Sequence, residues 1–355
     1  MNLDDLAQYK ELDLAHLGDE LDAFPSRFFN AFIEGCKCPL FDPSFIRVIV
    51  FLGSGEDALA GELLASLINL EIKVPVVVIT EDILPAWVSG DQVLVMALFD
   101  GDSNETLLAG FSQAAERNCS RIAVCMGEDW FQDEIEDGLT YWNLRSQGEH
   151  KTRTVEWIGY LLGAFSHIGF LDLSITAAKN IFQRLKAQAE SIQRSVPISE
   201  NPAKRMSGQL VGRQVAVFGA GYMLPVAKSW CFRLNRMAKT WAQAQPVPYS
   251  CFSSLDGIYF PESTLSHLMA LFIKSANDHS ANHNLIDLTR KLMMMEGINT
   301  DFYLSSGTSP LECILTALQF GDYLAYYLAI ANGIDPASGG AVDELIHNLG
   351  RLKKS

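Results

Sequence analysis

The chain has 355 residues, 48% of them hydrophobic and 19% charged, and a formal net charge of −15 from 27 Lys and Arg against 42 Asp and Glu. It is too apolar to stay disordered and long enough for two cores. Charge of this sign repels a phosphate backbone and an anionic lipid surface, which excludes nucleic acid and membrane as expected partners.

The opening residues Met1 to Asp5 are acidic, with neither a basic nor an apolar leader, so a cytoplasmic protein is expected. Apolar runs such as Val93 to Phe99 and Trp157 to Phe165 fall short of the roughly 18 residues of a membrane span. The seven cysteines (36, 38, 119, 125, 231, 251 and 313) are dispersed and read as free thiols of a reducing compartment. Cys36-Lys-Cys38 lacks the second pair or histidine that a zinc site requires, so no metal is expected.

Taken in chain order, residues 1–30 read as a helical segment. The run from Arg47 to Leu52 is continuously apolar and stops at Gly53-Ser54-Gly55, the pattern of a strand buried on both faces of a parallel sheet. Ala58 to Ile68 reads as a helix, Val74 to Thr80 and Val93 to Phe99 as strands, Glu105 to Arg117 as a helix and Arg121 to Met126 as a further strand. Strands alternating with helices predict a three-layer α/β domain. A single long helical stretch follows from about Val155 to Ser195, with Ile181, Leu185 and Ile192 at helical spacing. It ends in the Pro- and Ser-punctuated Val196 to Pro202.

The second half then repeats the first. Arg213 to Gly221 aligns without gaps on Arg47 to Gly55, 166 residues earlier, and again ends in Gly-x-Gly, here Gly219-Ala220-Gly221. Leu311 to Asn332 is an apolar helix stopped by Gly333 and Pro336, and Met293-Met294-Met295 reads as core filler. The expected units are 1–30, 31–155, 156–200 and 201–355.

Read locally, Gly53-Ser-Gly55-Glu-Asp-Ala58 with Glu81-Asp82 after the next strand fits a dinucleotide fingerprint. Glu56 and Asp57 would then direct negative charge at the pyrophosphate. A purely structural turn is the other local reading.

More specific are Asn201-Pro-Ala-Lys204, Gly212-Arg213, Val217 to Gly221, Trp230 to Lys239, Asp278-His279, Gly321 to Ala329 and Gly333 to Pro336. Together with Arg47 to Leu64 and Asp100 to Leu107, these segments resemble the bifunctional phosphoglucose/phosphomannose isomerases of the sugar isomerase (SIS) family, over nearly the whole chain. The resemblance implies an α/β fold of two SIS-type three-layer αβα sandwiches with mainly parallel sheets, joined by a helical segment. It also implies a homodimer that acts on a sugar phosphate without metal or organic cofactor. Glucose 6-phosphate or mannose 6-phosphate would be interconverted with fructose 6-phosphate through a cis-enediol, which needs a base at carbon and an acid at the ring oxygen.

The resemblance places the ligand at Gly53, Ser54, Gly55, Asp57, Asp100, Gly101, Ser103 and Thr106. Asp57 stands where the family has a phosphate-binding serine, and Leu98 and Asp100 replace two further serines. Arg236 occupies the position of the family's glutamate base, and a guanidinium cannot accept a carbon-bound proton. No histidine occurs between His167 and His267, where the ring-opening histidine would lie. His279 is the remaining catalytic candidate, with His283 beside it as a helix-end histidine. Arg153 is the nearest match to a family arginine, and Lys353-Lys354 to a terminal lysine. Asp57 and Asp100 read as solvated loop charge or, more sharply, as a pocket recast for a neutral or cationic ligand. The alternative to an isomerase is therefore a non-catalytic SIS dimer that binds a carbohydrate derivative.

Overall fold

The computed structural model describes residues 2–81, 83–100, 105–127, 139–145 and 152–352. Three short helices open the chain: α1 (Leu6–Leu12), α2 (Leu17–Asp22) and α3 (Phe24–Gly35). The first α/β unit runs β1 (Val48–Leu52), α4 (Gly55–Ile68), β2 (Val76–Ile79), β3 (Val93–Asp100), α5 (Glu105–Glu116), β4 (Ser120–Met126) and β5 (Thr140–Leu144). Next come α6 (Thr154–His167) and α7 (Ile175–Ile192). The second unit begins with α8 (Pro202–Leu210), β6 (Gln214–Ala220), a 3₁₀ turn at Gly221–Met223, α9 (Leu224–Arg236), β7 (Ala242–Val247), α10 (Tyr249–Asp256) and α11 (Glu262–Leu265). It closes with β8 (Leu268–Ser275), α12 (Ser280–Met295), β9 (Asn299–Ser305), α13 (Pro310–Ala331) and α14 (Ala341–Leu352).

The first sheet has order β2-β1-β3-β4-β5 and the second β7-β6-β8-β9. Every strand pair among the described residues is parallel. Parallel strands must be covered on both faces, and alternate residues show this. Ile49 and Phe51 of β1 join a core shared with Val215 and Val217 of β6, whereas Val50 and Leu52 enter a separate cluster with Leu107 and Phe111 of α5. Phe218 and Phe272 pack on the outer side of the second sheet with Ile286 and Met293 of α12. The shared core holds α4, α6, α9 and α13 between the two sheets, so the sandwiches lean on a common helical layer.

Both Gly-x-Gly turns use their glycines alike. A Cβ on Gly53 would lie 3.0 Å from the Ala58 nitrogen, and one on Gly219 2.5 Å from the Met223 carbonyl oxygen. The second glycine of each copy has positive φ, +55° at Gly55 and +51° at Gly221. The repeat is thus a repeat of backbone geometry.

Two expectations need correction. The stretch from Val155 to Ser195 is two helices, because the chain leaves α6 through Gly169, whose φ is +86°. Of the methionine run only Met293 is core; Met294 is 59% and Met295 72% exposed, since consecutive helix positions face different directions. Among the described residues one helix, Pro310–Ala331, is long and apolar enough to cross a bilayer, but its apolar stretch is wholly buried inside the fold. Strands β5 and β7 are edges with polar positions, which their sequences Thr-Tyr-Trp-Asn-Leu and Ala-Gln-Ala-Gln-Pro-Val reflect. Pro246 sits in β7, at a sheet edge where a missing N–H is tolerated.

Candidate functional site

Strand β1 connects onward to β2 on one side of it, while β3 lies on its other side. The carboxyl ends of β1 and β3 therefore flank a topological switch point, where an open α/β sheet offers its binding crevice. Gly53 and Asp100 stand at these two ends. Ser54 is the N-cap of α4 in extended backbone, Gly55 is exposed and begins the helix, and Thr106 is exposed in the first turn of α5. Gly101 and Ser103 lie outside the described residues.

The acids of the crevice are not solvated loop charge, which corrects that expectation. Glu56 is 4%, Asp57 7% and Asp100 8% exposed. Each faces a partner inside the protein. Trp157 Nε1 donates to Asp57 Oδ1 at 3.1 Å, and Asp100 forms an ion pair with Arg153. Glu56 Oε1 meets Arg233 Nη1 at 2.5 Å and accepts from Thr154 Oγ1 at 2.5 Å. Arg233 also donates through Nε to Asp322 Oδ1 at 2.9 Å and through Nη2 to Thr154 Oγ1 at 2.8 Å.

This network joins α4, α6, α9 and α13. Burial pushes the Asp322 carboxyl above the ordinary aspartate range, and Arg233 pulls it back. Burial alone would weaken the Arg233 charge, but Glu56 and Asp322 more than offset it and hold the guanidinium protonated. Sequence reasoning passes over Arg233. Its signal is a charged residue on the apolar stripe of Val226, Trp230, Leu234 and Met237, since such a position demands a buried counter-charge.

Arg236 lies at the last turn of α9, half-buried, with its guanidinium carbon 5.6 Å from the Phe232 ring centroid. Beside it, Lys239 donates to the carbonyl oxygens of Arg236 and Ser338. Burial, followed by the neighbouring Arg236 charge, lowers the Lys239 pKa. The structure thus brings Arg153 and Arg233, rather than Arg236, against acids of the crevice.

His279 follows β8 of the second sheet. It is exposed, and as N-cap of α12 its Nδ1 accepts from the Ala281 N–H at 3.2 Å, a tautomer assigned from this geometry. Neighbouring Asp278 is half-buried, accepts from the Ser275 N–H at 3.0 Å and is raised in pKa by burial. His283 sits half-buried one turn into α12. All seven cysteines are free thiols, and no group of three metal-ligating side chains occurs among the described residues. Lys353 and Lys354 lie outside the described residues, as does Asp82. Glu81 is exposed. With Glu56 and Asp57 buried in the first turn of α4, a dinucleotide pyrophosphate would meet two fixed carboxylates there.

Residues 199–349 match the bacterial phospho-glucose isomerase C-terminal SIS domain. The bifunctional phosphoglucose/phosphomannose isomerase of Caldicellulosiruptor bescii is 25% identical over 320 residues, covering 87% of this chain and 91% of that protein. Its counterpart in Aquifex aeolicus is 20% identical over 302 residues, covering 85% and 90%. Among solved structures, a glucose-6-phosphate isomerase like protein from Thermus thermophilus superposes with a TM-score of 0.64 at 18% identity, over 96% of this chain and 99% of that one. A hypothetical protein from the same organism reaches 0.72 at 12% identity, over 98% and 94%.

Two parallel-sheet sandwiches with duplicated Gly-x-Gly turns and a crevice at the β1–β3 switch point give the chain the fold of these solved structures. Residues 199–349 form an SIS domain of the bacterial phospho-glucose isomerase type, and along most of its length the chain is similar to bifunctional phosphoglucose/phosphomannose isomerases.

Proposed function

We propose that the protein is a sugar-phosphate isomerase that interconverts an aldose 6-phosphate, glucose or mannose, with fructose 6-phosphate at the β1–β3 crevice. The correspondence with curated isomerases along both SIS units carries this reading, because it spans the crevice and the helices around it. In this reading the protein is a cytoplasmic homodimer with unit boundaries at 30, 155 and 200, in line with the family resemblance. The proton acceptor is then a group other than Arg236, since guanidinium stays protonated at working pH.

A second reading is favoured by one observation. The acids of the crevice are committed to internal partners, and the family resemblance puts Arg236 where the base would stand. A double-SIS protein that binds a carbohydrate derivative without turning it over would need neither base nor ring-opening acid.

A coupled assay of fructose 6-phosphate formation, run beside calorimetric titration with fructose 6-phosphate and unphosphorylated fructose, distinguishes the two. Turnover above background supports the enzyme. Saturable sugar binding with no turnover above background supports the binding protein. Neither turnover nor binding would remove both.

A further inference from the structure

A crevice of about 320 Å³ lies where the end of α4, helix α6, the α6–α7 turn, α7 and the start of α13 meet, away from Gly53 and Asp100. Its volume is at the lower bound of small-molecule sites, roughly 300–1,000 Å³. The walls are apolar: Leu67, Ile68, Leu162 and Ile181 line it and are nearly solvent-free. The rim is acidic. Glu71 and Asp172 line it and are exposed, in the turn after α4 and in the α6–α7 turn respectively.

The start of a 22-residue helix would ordinarily welcome an anion. Here that place is taken by the chain itself. Glu312 Oε2 accepts from Thr308 N at 2.6 Å and Thr308 Oγ1 at 2.8 Å, and lies 3.2 Å from Arg184 Nε. Burial would raise this carboxyl, but the Thr308 and Arg184 bonds outweigh it and keep Glu312 ionised. Arg184, the cation against this corner, is therefore bound to Glu312, and what faces a ligand is apolar wall, the neutral polar residues Asn180, Thr308 and Ser309, and two exposed carboxylates.

We propose that this crevice binds a small organic amine, its compact apolar body against Leu67, Ile68, Leu162 and Ile181 and its ammonium between Glu71 and Asp172. An anion of the same shape meets three carboxylates, and a neutral analogue gains only the apolar contact. The walls come from α4 and α13, so the bound amine bridges the two SIS units.

The test is calorimetric titration of the full chain with 2-phenylethylamine, 2-phenylethanol and 3-phenylpropanoate. The amine saturates one site, the alcohol binds about fivefold more weakly and the carboxylate more weakly still, the scale expected of exposed charge pairs. Glu71→Gln with Asp172→Asn removes the amine's advantage and leaves the alcohol's affinity unchanged. Ala177→Trp, which fills the crevice from a partly exposed position on α7, abolishes all three while circular dichroism stays native. Equal affinity for amine and alcohol, amine binding that survives Ala177→Trp, or no saturation by the amine would each overturn the proposal.

Discussion

Glu56 in the first turn of α4 and Arg233 in α9 meet at 2.5 Å with both side chains only 2% exposed. The pair crosses from one SIS unit to the other, and Asp322 and Thr154 complete its hydrogen bonds. Such a network contributes less to stability by its net worth than by the cost of breaking it, because removing one partner strands the others without water.

Arg233→Ala is therefore expected to destabilise the fold by about 3–5 kcal/mol, the cost of an uncompensated buried charge. At roughly 2 °C per kcal/mol for a chain of this size, Tm falls on the order of 10 °C. Lys228→Ala, which removes the far more exposed bridge from Lys228 to Glu62, costs less than about 1 kcal/mol. Scanning calorimetry on both variants checks the contrast; equal losses would mean that burial is not what matters at Arg233.

Acid sensitivity should centre in part on Glu312. Its folded-state pKa lies below the ordinary value, so the stability it contributes is present above the unfolded pKa and is lost as pH falls through the folded one. Tm measured from about pH 6 down to about pH 3 should then drop more steeply in the wild type than in Glu312→Gln. Parallel curves would show that the Thr308 and Arg184 bonds do not distinguish the ionised carboxylate.

At the switch-point crevice Asp57 accepts from the uncharged Trp157 indole, whereas Asp100 holds Arg153 in an ion pair. One carboxylate about 4 Å from a phosphate costs on the order of 4 kcal/mol at an effective dielectric of about 20. Asp57→Ser with Asp100→Ser should therefore tighten fructose 6-phosphate binding at least about tenfold and leave fructose binding unchanged. An unaltered phosphosugar affinity would show that the phosphate sits elsewhere.

Arg236→Glu puts a proton acceptor at the position that the family resemblance pairs with the base. If the missing acceptor limits turnover, the coupled assay should show fructose 6-phosphate formation rising by about 10²-fold or more. A slower enzyme would instead identify Arg236 as a group that holds the substrate.

The strands were legible where burial on both faces leaves apolar runs, Val48–Leu52, Val93–Phe99 and Ile122–Met126, while β3 continues to Asp100 and β4 begins at Ser120. The edge strand at Ala242–Val247 carries no such run, because one side faces solvent and its polar residues look like a loop. The two Gly-x-Gly turns were equally readable, since a close backbone approach and a positive φ admit little besides glycine.

By itself, then, the sequence determined the doubled α/β scaffold and its two glycine turns. Only tertiary structure decided what the acids of the first turn do. A carboxylate's local sequence does not record whether its neighbour is water or a guanidinium from the other half of the chain. Folding brought Arg233 onto Glu56 and Arg153 onto Asp100, and so turned charge that reads as surface into the ionic interior of the crevice.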